Sequence, residues 1–255
     1  MVEGPQASVM AKWVKRKYKN QMLKNIKILK GRYKKRIPKN FISFQNSLPL
    51  RLLDVIKKGK VIFLFFEKDW VVIVKFGMTA WLSDKEEDPN VIFDFGDKKL
   101  FYKDVRQFGT LTFTQDPVMV LKELNKLAPD ILDDKISFQD IQDRISSNKN
   151  IDVILMDQKI VLSGIGNIVK SEVLYDAKID PRRKGSDLTR EEWKQIFNSA
   201  KKISNKVVKN IENNKDDFEG MIKIYGKETD SNGNKIQKYN AKDGRVTFWV
   251  SEVQN

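Results

Sequence analysis

Asp152-Val-Ile-Leu-Met-Asp-Gln-Lys-Ile-Val-Leu-Ser-Gly164-Ile165-Gly166-Asn167-Ile-Val-Lys-Ser-Glu-Val-Leu-Tyr-Asp-Ala-Lys-Ile-Asp-Pro181 decides how the second half of this chain folds. Two apolar helical stretches flank Gly164-Ile165-Gly166-Asn167. The joint is helix–turn–helix-like. Its glycines let backbone N–H groups approach an anion, Asn167 can cap the second helix or donate to a phosphate, and that helix's N-terminus attracts negative charge. An ordinary glycine-containing helix–helix turn has the same spacing, so spacing leaves both readings open.

Working outward, residues 116–127 read as an amphipathic helix opened by Asp116-Pro117. Ser137 starts another, with Phe138, Ile141 and Ile145 on one face, and residues 188–213 make a long charged helix. Upstream the pattern changes. After a basic helical segment at residues 9–18, strands are expected at 26–29, 40–44, 50–56, 61–66, 70–75, 91–95, 99–102 and 110–114, parted by turn signals such as Gly96-Asp97. Short strands at this spacing suggest a sandwich or barrel. The boundary falls near residues 114–118. The last residues return to alternation, with 236–239 and 245–250 joined through Asp243-Gly244, a hairpin signal.

Composition narrows the chemistry. Among 255 residues, 48 Lys and Arg stand against 34 Asp and Glu, a formal charge of +14, which points to a polyanionic partner and first of all to nucleic acid. The chain has no histidine and no cysteine, which excludes Cys and Ser–His nucleophiles, disulfides and the usual zinc, haem or iron–sulfur ligands. The acidic residues form no tight cluster for a Mg²⁺ ion. No metal and no cofactor are therefore expected. An apolar run of about 18 residues is absent, so no membrane span is expected, and without a secretion signal the expected location is intracellular.

Acid–base and nucleophilic work then falls to Glu, Asp, Lys, Tyr or an α-amine. Met1-Val2-Glu3-Gly4-Pro5 places a carboxylate beside what becomes the first residue if the methionine is removed, and Val2 is small enough for that removal. An α-amine titrates near about 7.7–8.0, so a useful fraction is neutral and nucleophilic at neutral pH. Pro5 in a first helical turn would set the amine near the positive end of the helix dipole.

The 152–181 stretch resembles the helix–two-turn–helix of the formamidopyrimidine-DNA glycosylase/endonuclease VIII (Fpg/Nei) family, from Leu155-Met156-Asp157-Gln158 through Gly164-Ile165-Gly166-Asn167 to Ile179-Asp180-Pro181. The N-terminus is similar to that family's catalytic end. Three further matches follow the family's order: Gly59-Lys60 before the apolar strand at 61–66, Phe76-Gly77-Met78-Thr79-Ala80-Trp81-Leu82, and Tyr102-Lys103-Asp104-Val105-Arg106-Gln107-Phe108-Gly109. The resemblance implies an α+β fold. A leading helix and a two-layered antiparallel β-sandwich (1–115) would precede a helix–two-turn–helix domain (116–220) and a finger hairpin (221–255), with DNA in the cleft between sandwich and helices.

The resemblance also implies roles. The Val2 amine would attack C1′ of a damaged nucleotide and form a Schiff base, with Glu3 as acid and base at the sugar and Lys60 at the phosphate or in proton transfer. Met78, Arg106 and Phe108 would fill the gap left by the everted base. Asn167 and Arg245 would hold the phosphate by the lesion, for which a guanidinium is suited. Basic residues within 12–39 and 201–209 would add salt-dependent phosphate affinity.

Two features depart from the family pattern. The finger, beginning at Ile224-Tyr225-Gly226-Lys227, has no metal ligands, so a zincless β-hairpin is expected, with Phe248 and Trp249 as packing. Val2 stands where most members carry proline, as in one Nei-like branch, and its primary amine is expected to drive elimination more slowly than a proline's iminium. The expected function is a bifunctional glycosylase and abasic-site lyase of base excision repair. It would act as a monomer on duplex or single-stranded DNA with oxidised bases or abasic sites. The alternative is a non-catalytic helix–two-turn–helix DNA-binding protein.

Overall fold

A computed structural model describes residues 2–145 and 147–255, so the expected removal of Met1 concerns a residue outside those described. Its backbone divides into two units: Val2 with Ala7–Asn125, and Glu3–Gln6 with Lys126–Asn255.

Helix α1 (Gly4–Tyr18), which belongs to the first unit from Ala7 on, buries Ala7, Met10, Ala11, Val14 and Tyr18, a stripe with helical spacing. Pro5 lies in its first turn, where a missing N–H costs nothing, and Lys15, Arg16 and Lys17 sit at its negative end. Then come β1 (Met22–Leu23), β2 (Asn25–Ile28), α2 (Arg32–Lys35) and α3 (Phe41–Asn46). These are followed by β3 (Leu50–Lys58), β4 (Val61–Phe66), β5 (Val71–Lys75), β6 (Ala80–Ser83), β7 (Val91–Asp94), β8 (Lys99–Asp104) and β9 (Thr110–Thr114).

The strands form two antiparallel sheets, β1-β3-β4-β5-β9 and β2-β7-β8-β6. One core takes side chains from both: Leu52, Ile62, Leu64, Val72 and Val74 from the first, Ile26, Val91, Phe93, Leu100 and Tyr102 from the second. This is the two-layered sandwich that the resemblance implies, where the strand spacing left sandwich and barrel open.

The expected strand at 40–44 is instead α3. Phe41 and Phe44 are buried while Ile42 between them is exposed, which is a three-residue spacing and not a strand's alternation. Helix α4 (Pro117–Asn125) opens with Asp116 accepting the Val118 N–H at 2.9 Å. It lies with the sandwich, since Lys58 Nζ donates to the Leu124 carbonyl at 2.9 Å and Lys75 pairs with Glu123 at 2.6 Å. The first unit therefore extends past the boundary placed at 115.

In the second unit Ser137 opens a 3₁₀ turn, Phe138–Arg144, in place of the expected α-helix, and its N–H donates to Asp140 Oδ2 at 2.7 Å. Helices α5 (Ile151–Met156) and α6 (Asn167–Asp176) are the two arms of the glycine joint. Helix α7 (Arg190–Glu212) begins at a Thr189/Glu192 capping box and buries Trp193, Ile196, Ala200, Ile203 and Val207 on one stripe. They share a core with Ile154, Leu155, Ile165, Val169 and Val173.

Strands β10 (Gln237–Asn240) and β11 (Val246–Trp249) make the expected hairpin, with Asn240 opposite Val246. Glu172 of α6 fixes the approach to it by accepting the N–H groups of Lys223, Ile224 and Tyr225 at 2.8, 3.1 and 2.8 Å. Tyr175 donates to Asp230 at 2.9 Å, and Tyr175, Ile224, Ile236, Phe248 and Val250 form a small core of their own. Strand pairing, these bonds and this core hold the hairpin. No helix among the described residues is long and apolar enough to cross a membrane.

Candidate active site

Residues 3–6 lie against the glycine joint. The Gly4 N–H donates to the Gly164 carbonyl at 2.7 Å, and a Cβ on Gly4 would stand 2.5 Å from that oxygen. Gly164 has φ +100°, a conformation that L side chains rarely adopt. The Glu3 carboxylate is buried and accepts the Ile168 N–H on Oε1 at 2.9 Å and the Val169 N–H on Oε2 at 3.2 Å. A Cβ on Gly166 would overlap that carboxyl.

An anion does approach the backbone N–H groups after the glycines, but it is the protein's own Glu3. Glu3 is held further by its own N–H, which donates to Gln6 Oε1 at 3.1 Å, while Gln6 Nε2 donates to Asp217 at 2.9 Å. Each carboxylate oxygen keeps a second lone pair, so the cap leaves room for proton transfer.

Val2 precedes this clamp and is 4% exposed, its side chain in the sandwich core. Lys60 is half-buried in the turn between β3 and β4, after Gly59 at φ +58°.

Met78 sits half-buried in the turn between β5 and β6, whereas Arg106 and Phe108 are exposed on the segment between β8 and β9. These two segments are locked together. The Arg106 N–H donates to Thr79 Oγ1 at 3.0 Å, and a Cβ on Gly77 (φ +60°) would stand 2.6 Å from the Phe108 carbonyl carbon. Phe108 is 57% exposed with the Arg106 guanidinium 5.3 Å from its ring centre, so it is not core packing.

The hub of this arrangement is Asp104, which the sequence reading missed. Its Oδ1 accepts from Thr79 Oγ1 at 3.0 Å and the Gln107 N–H at 3.1 Å, and its Oδ2 accepts the Gly109 N–H at 2.7 Å. One buried carboxylate thus shapes the segment carrying Arg106 and Phe108 and ties it to the one carrying Met78.

Asn167 is the first residue of α6, 7% exposed, and does not cap its helix. Its Nδ2 donates to the Val246 carbonyl at 3.0 Å, so it adjoins the hairpin next to Arg245. Arg245 is exposed, with Nη1 on Asp243 at 2.7 Å. Elsewhere on the basic surface Lys15 pairs with Asp54 at 2.7 Å and Lys17 with Asp84, exposed pairs of small energetic weight. Among the described residues no group of three or more acidic side chains could hold a metal ion.

In sequence and fold the chain is similar to known proteins. The chain fits the family models described as formamidopyrimidine-DNA glycosylase N-terminal domain, over residues 1–111, and formamidopyrimidine-DNA glycosylase H2TH domain, over residues 127–217. It is 30% identical over 188 residues to the formamidopyrimidine-DNA glycosylase of Carboxydothermus hydrogenoformans, covering 67% of this chain and 68% of that one. The chain belongs to the formamidopyrimidine-DNA glycosylase family.

Membership places it among the DNA glycosylases of base excision repair. The Bacillus cereus enzyme of the same name is 30% identical over 203 residues, 72% of this chain and 73% of its own. Two solved structures share the fold over 99% of both chains: Lactococcus lactis Fpg in complex with DNA containing an abasic site (TM-score 0.86, 22% identity), and MutM in complex with DNA containing carbocyclic 8-oxo-G (TM-score 0.85, 23% identity). The named relatives are formamidopyrimidine-DNA glycosylases, and it is this family, not a Nei-like branch within it, that the likeness establishes.

Proposed function

We propose that the chain is a bifunctional DNA glycosylase and abasic-site lyase acting on oxidised bases, with the α-amine of Val2, freed of Met1, as its nucleophile. The amine attacks C1′ of the damaged nucleotide, the bond from C1′ to the base breaks, and loss of the ring oxygen from C1′ gives a Schiff base. Elimination from that imine then cuts the strand. Splitting the displacement in this way replaces one hard step by easier ones.

The observation that carries this reading is the clamp on residues 3–6. Two N–H groups at the end of α6 hold the Glu3 carboxylate, the Gly4–Gly164 bond holds the next residue, and the backbone leading to the amine is fixed in place. Such positioning is worth many orders of magnitude to a bimolecular reaction. Glu3 hands a proton to the opening sugar ring and recovers it during elimination, and Lys60 serves the phosphate or the proton transfers near the imine. With no cysteine or histidine in the chain, the competing nucleophiles are lysine amines, which ordinarily titrate near about 10.4, well above an α-amine.

DNA with an everted base is the substrate. Met78, Arg106 and Phe108 occupy the vacated stack, a task that suits an exposed ring and a cation on a rigid segment. Asn167 and Arg245 take the phosphate, and the hairpin, held without metal, serves as a zincless finger. A primary amine forms an imine that must be protonated to act as an electron sink, so elimination runs more slowly than from proline.

Base release from duplexes carrying single oxidised purines or pyrimidines tests the proposal. Protein processed to Val2 should release at least one of these bases and nick the strand. Tight binding with neither release nor nicking of any substrate would return the chain to the non-catalytic reading.

A further inference from the structure

Lys170 lies on α6 one turn after Asn167 and has no exposed surface. A buried ammonium is costly unless oxygens receive its hydrogens. Here Nζ is 2.8 Å from Asn167 Oδ1 and 2.6 Å from Thr247 Oγ1, and Thr247 donates to the buried Asp152 Oδ2 at 3.1 Å. A chain of Asp152, Thr247, Lys170 and Asn167 thus runs from α5 through β11 to the first residue of α6.

This chain decides how Asn167 presents itself. An ammonium only donates, so it selects the amide oxygen and turns Nδ2 the other way. One Nδ2 hydrogen goes to the Val246 carbonyl at 3.0 Å; among the described residues the other reaches Tyr225 Oη at 3.5 Å, beyond a good hydrogen bond. That weakly held hydrogen is the one an anion can take. Thr247 is also two residues from Arg245, so the same ammonium anchors the strand that directly follows the arginine.

We infer that Lys170 is a positioning residue for the phosphate contact: it orients the Asn167 amide and ties β11 to α6, so that Asn167 and Arg245 offer donors to one phosphodiester. Its own charge stays behind them and does not touch DNA. The inference rests on the phosphate role proposed for those two residues. An apolar side chain in its place would leave the buried Asp152 and the Asn167 amide oxygen without their cation, so orientation and charge are what the lysine supplies.

Burial pushes the Lys170 ammonium down to about 8. Asp152 on α5, Asp243 in the hairpin turn and Glu3 at the clamp oppose the fall, and Arg245 adds to it. The positive charge behind the site is therefore complete below that pH and is lost above it, and affinity for an anion declines with it.

Equilibrium binding of the full chain to a duplex with a tetrahydrofuran abasic-site analogue, at fixed salt, tests the inference. Lys170→Met should weaken binding about tenfold, the worth of one well-placed hydrogen bond, and Asn167→Ala by a similar factor. The double variant should lose clearly less than the product of the two single factors, because part of the lysine's effect acts through the asparagine. The parent should lose affinity several-fold between about pH 7 and 9, and Lys170→Gln, which keeps a donor without the charge, should show a flatter profile. Parent-like binding by a folded Lys170→Met, or fully additive losses, would overturn the inference. If Lys170→Met does not fold, Lys170→Gln decides, and a profile as steep as the parent's overturns it. If Asn167→Ala and Arg245→Ala both bind like the parent, the phosphate reading itself fails and this inference with it.

Discussion

The Glu3 carboxylate accepts the backbone N–H of Ile168 at 2.9 Å, so the residue beside the proposed nucleophile is also the cap of helix α6. Catalysis and folding meet in one side chain. Glu3→Gln should lose the strand-cutting reaction by about a hundredfold or more while keeping DNA affinity. It should also cost about 1 kcal/mol of stability, the usual worth of a charged cap. Single-turnover cleavage and thermal unfolding of the same preparation separate the two effects.

Gly166→Ala strikes the same clamp from the other side, because its Cβ would overlap the Glu3 carboxyl. The expected result is a stability loss of about 1–3 kcal/mol, as for other overpacked sites, and a fall in cleavage rate larger than the fall in DNA affinity. Equal losses in rate and affinity would mean that the glycine serves folding alone.

Asp104 makes a separate claim about base eversion. Asp104→Asn would turn an NH₂ group toward the Gly109 N–H or the Thr79 and Gln107 donors, costing about 1–3 kcal/mol. The segment bearing Arg106 and Phe108 should loosen. Cleavage of duplex substrates should then drop more than cleavage of the same lesion in a single strand, where no stack needs filling. The ratio of the two rates is the measurement.

For Arg245, exposed and poised on the hairpin turn, the expectation is electrostatic. Arg245→Ala should weaken duplex binding and reduce the slope of log affinity against log salt by about 1, as expected when one phosphate contact is lost. A salt titration by fluorescence anisotropy reads both numbers.

Lys170 predicts a pH dependence of stability. Its folded value of about 8 lies below the ordinary lysine range, so between these values the unfolded chain binds the extra proton. Stability therefore rises with pH across that window, by up to about 3 kcal/mol, as the buried charge is relieved. Denaturant unfolding should show the parent gaining on Lys170→Met between about pH 8 and 10, with little change in the difference below pH 7.

What could be read in the sequence follows the range of the interactions involved. Helix α7 declares itself through the Thr189/Glu192 box and its stripe of Trp193, Ile196 and Ala200, and the hairpin through Asp243-Gly244, since in each the deciding partners are near in the chain. Segment 41–46 misleads because two phenylalanines three apart suit a strand by composition and a helix by spacing. The glycines at 164 and 166 were legible as a place of close approach; that residues 3 and 4 are what approaches lies more than 150 positions away and leaves no local mark. Lys170 and Glu172 carried a usable sign, two ionisable residues inside a helix otherwise fit for burial. Their partners on β11 and at residues 223–225 appear only once the chain is folded.

The central claim is that the amine of Val2 is the nucleophile, and borohydride trapping on an abasic-site oligonucleotide, followed by peptide mapping, tests it most directly. Protein processed to Val2 should give a covalent adduct located on the N-terminal peptide, and the same chain with an added N-terminal residue should give none. An adduct mapped to a lysine side chain, or one that survives blocking of the N-terminus, would contradict the account.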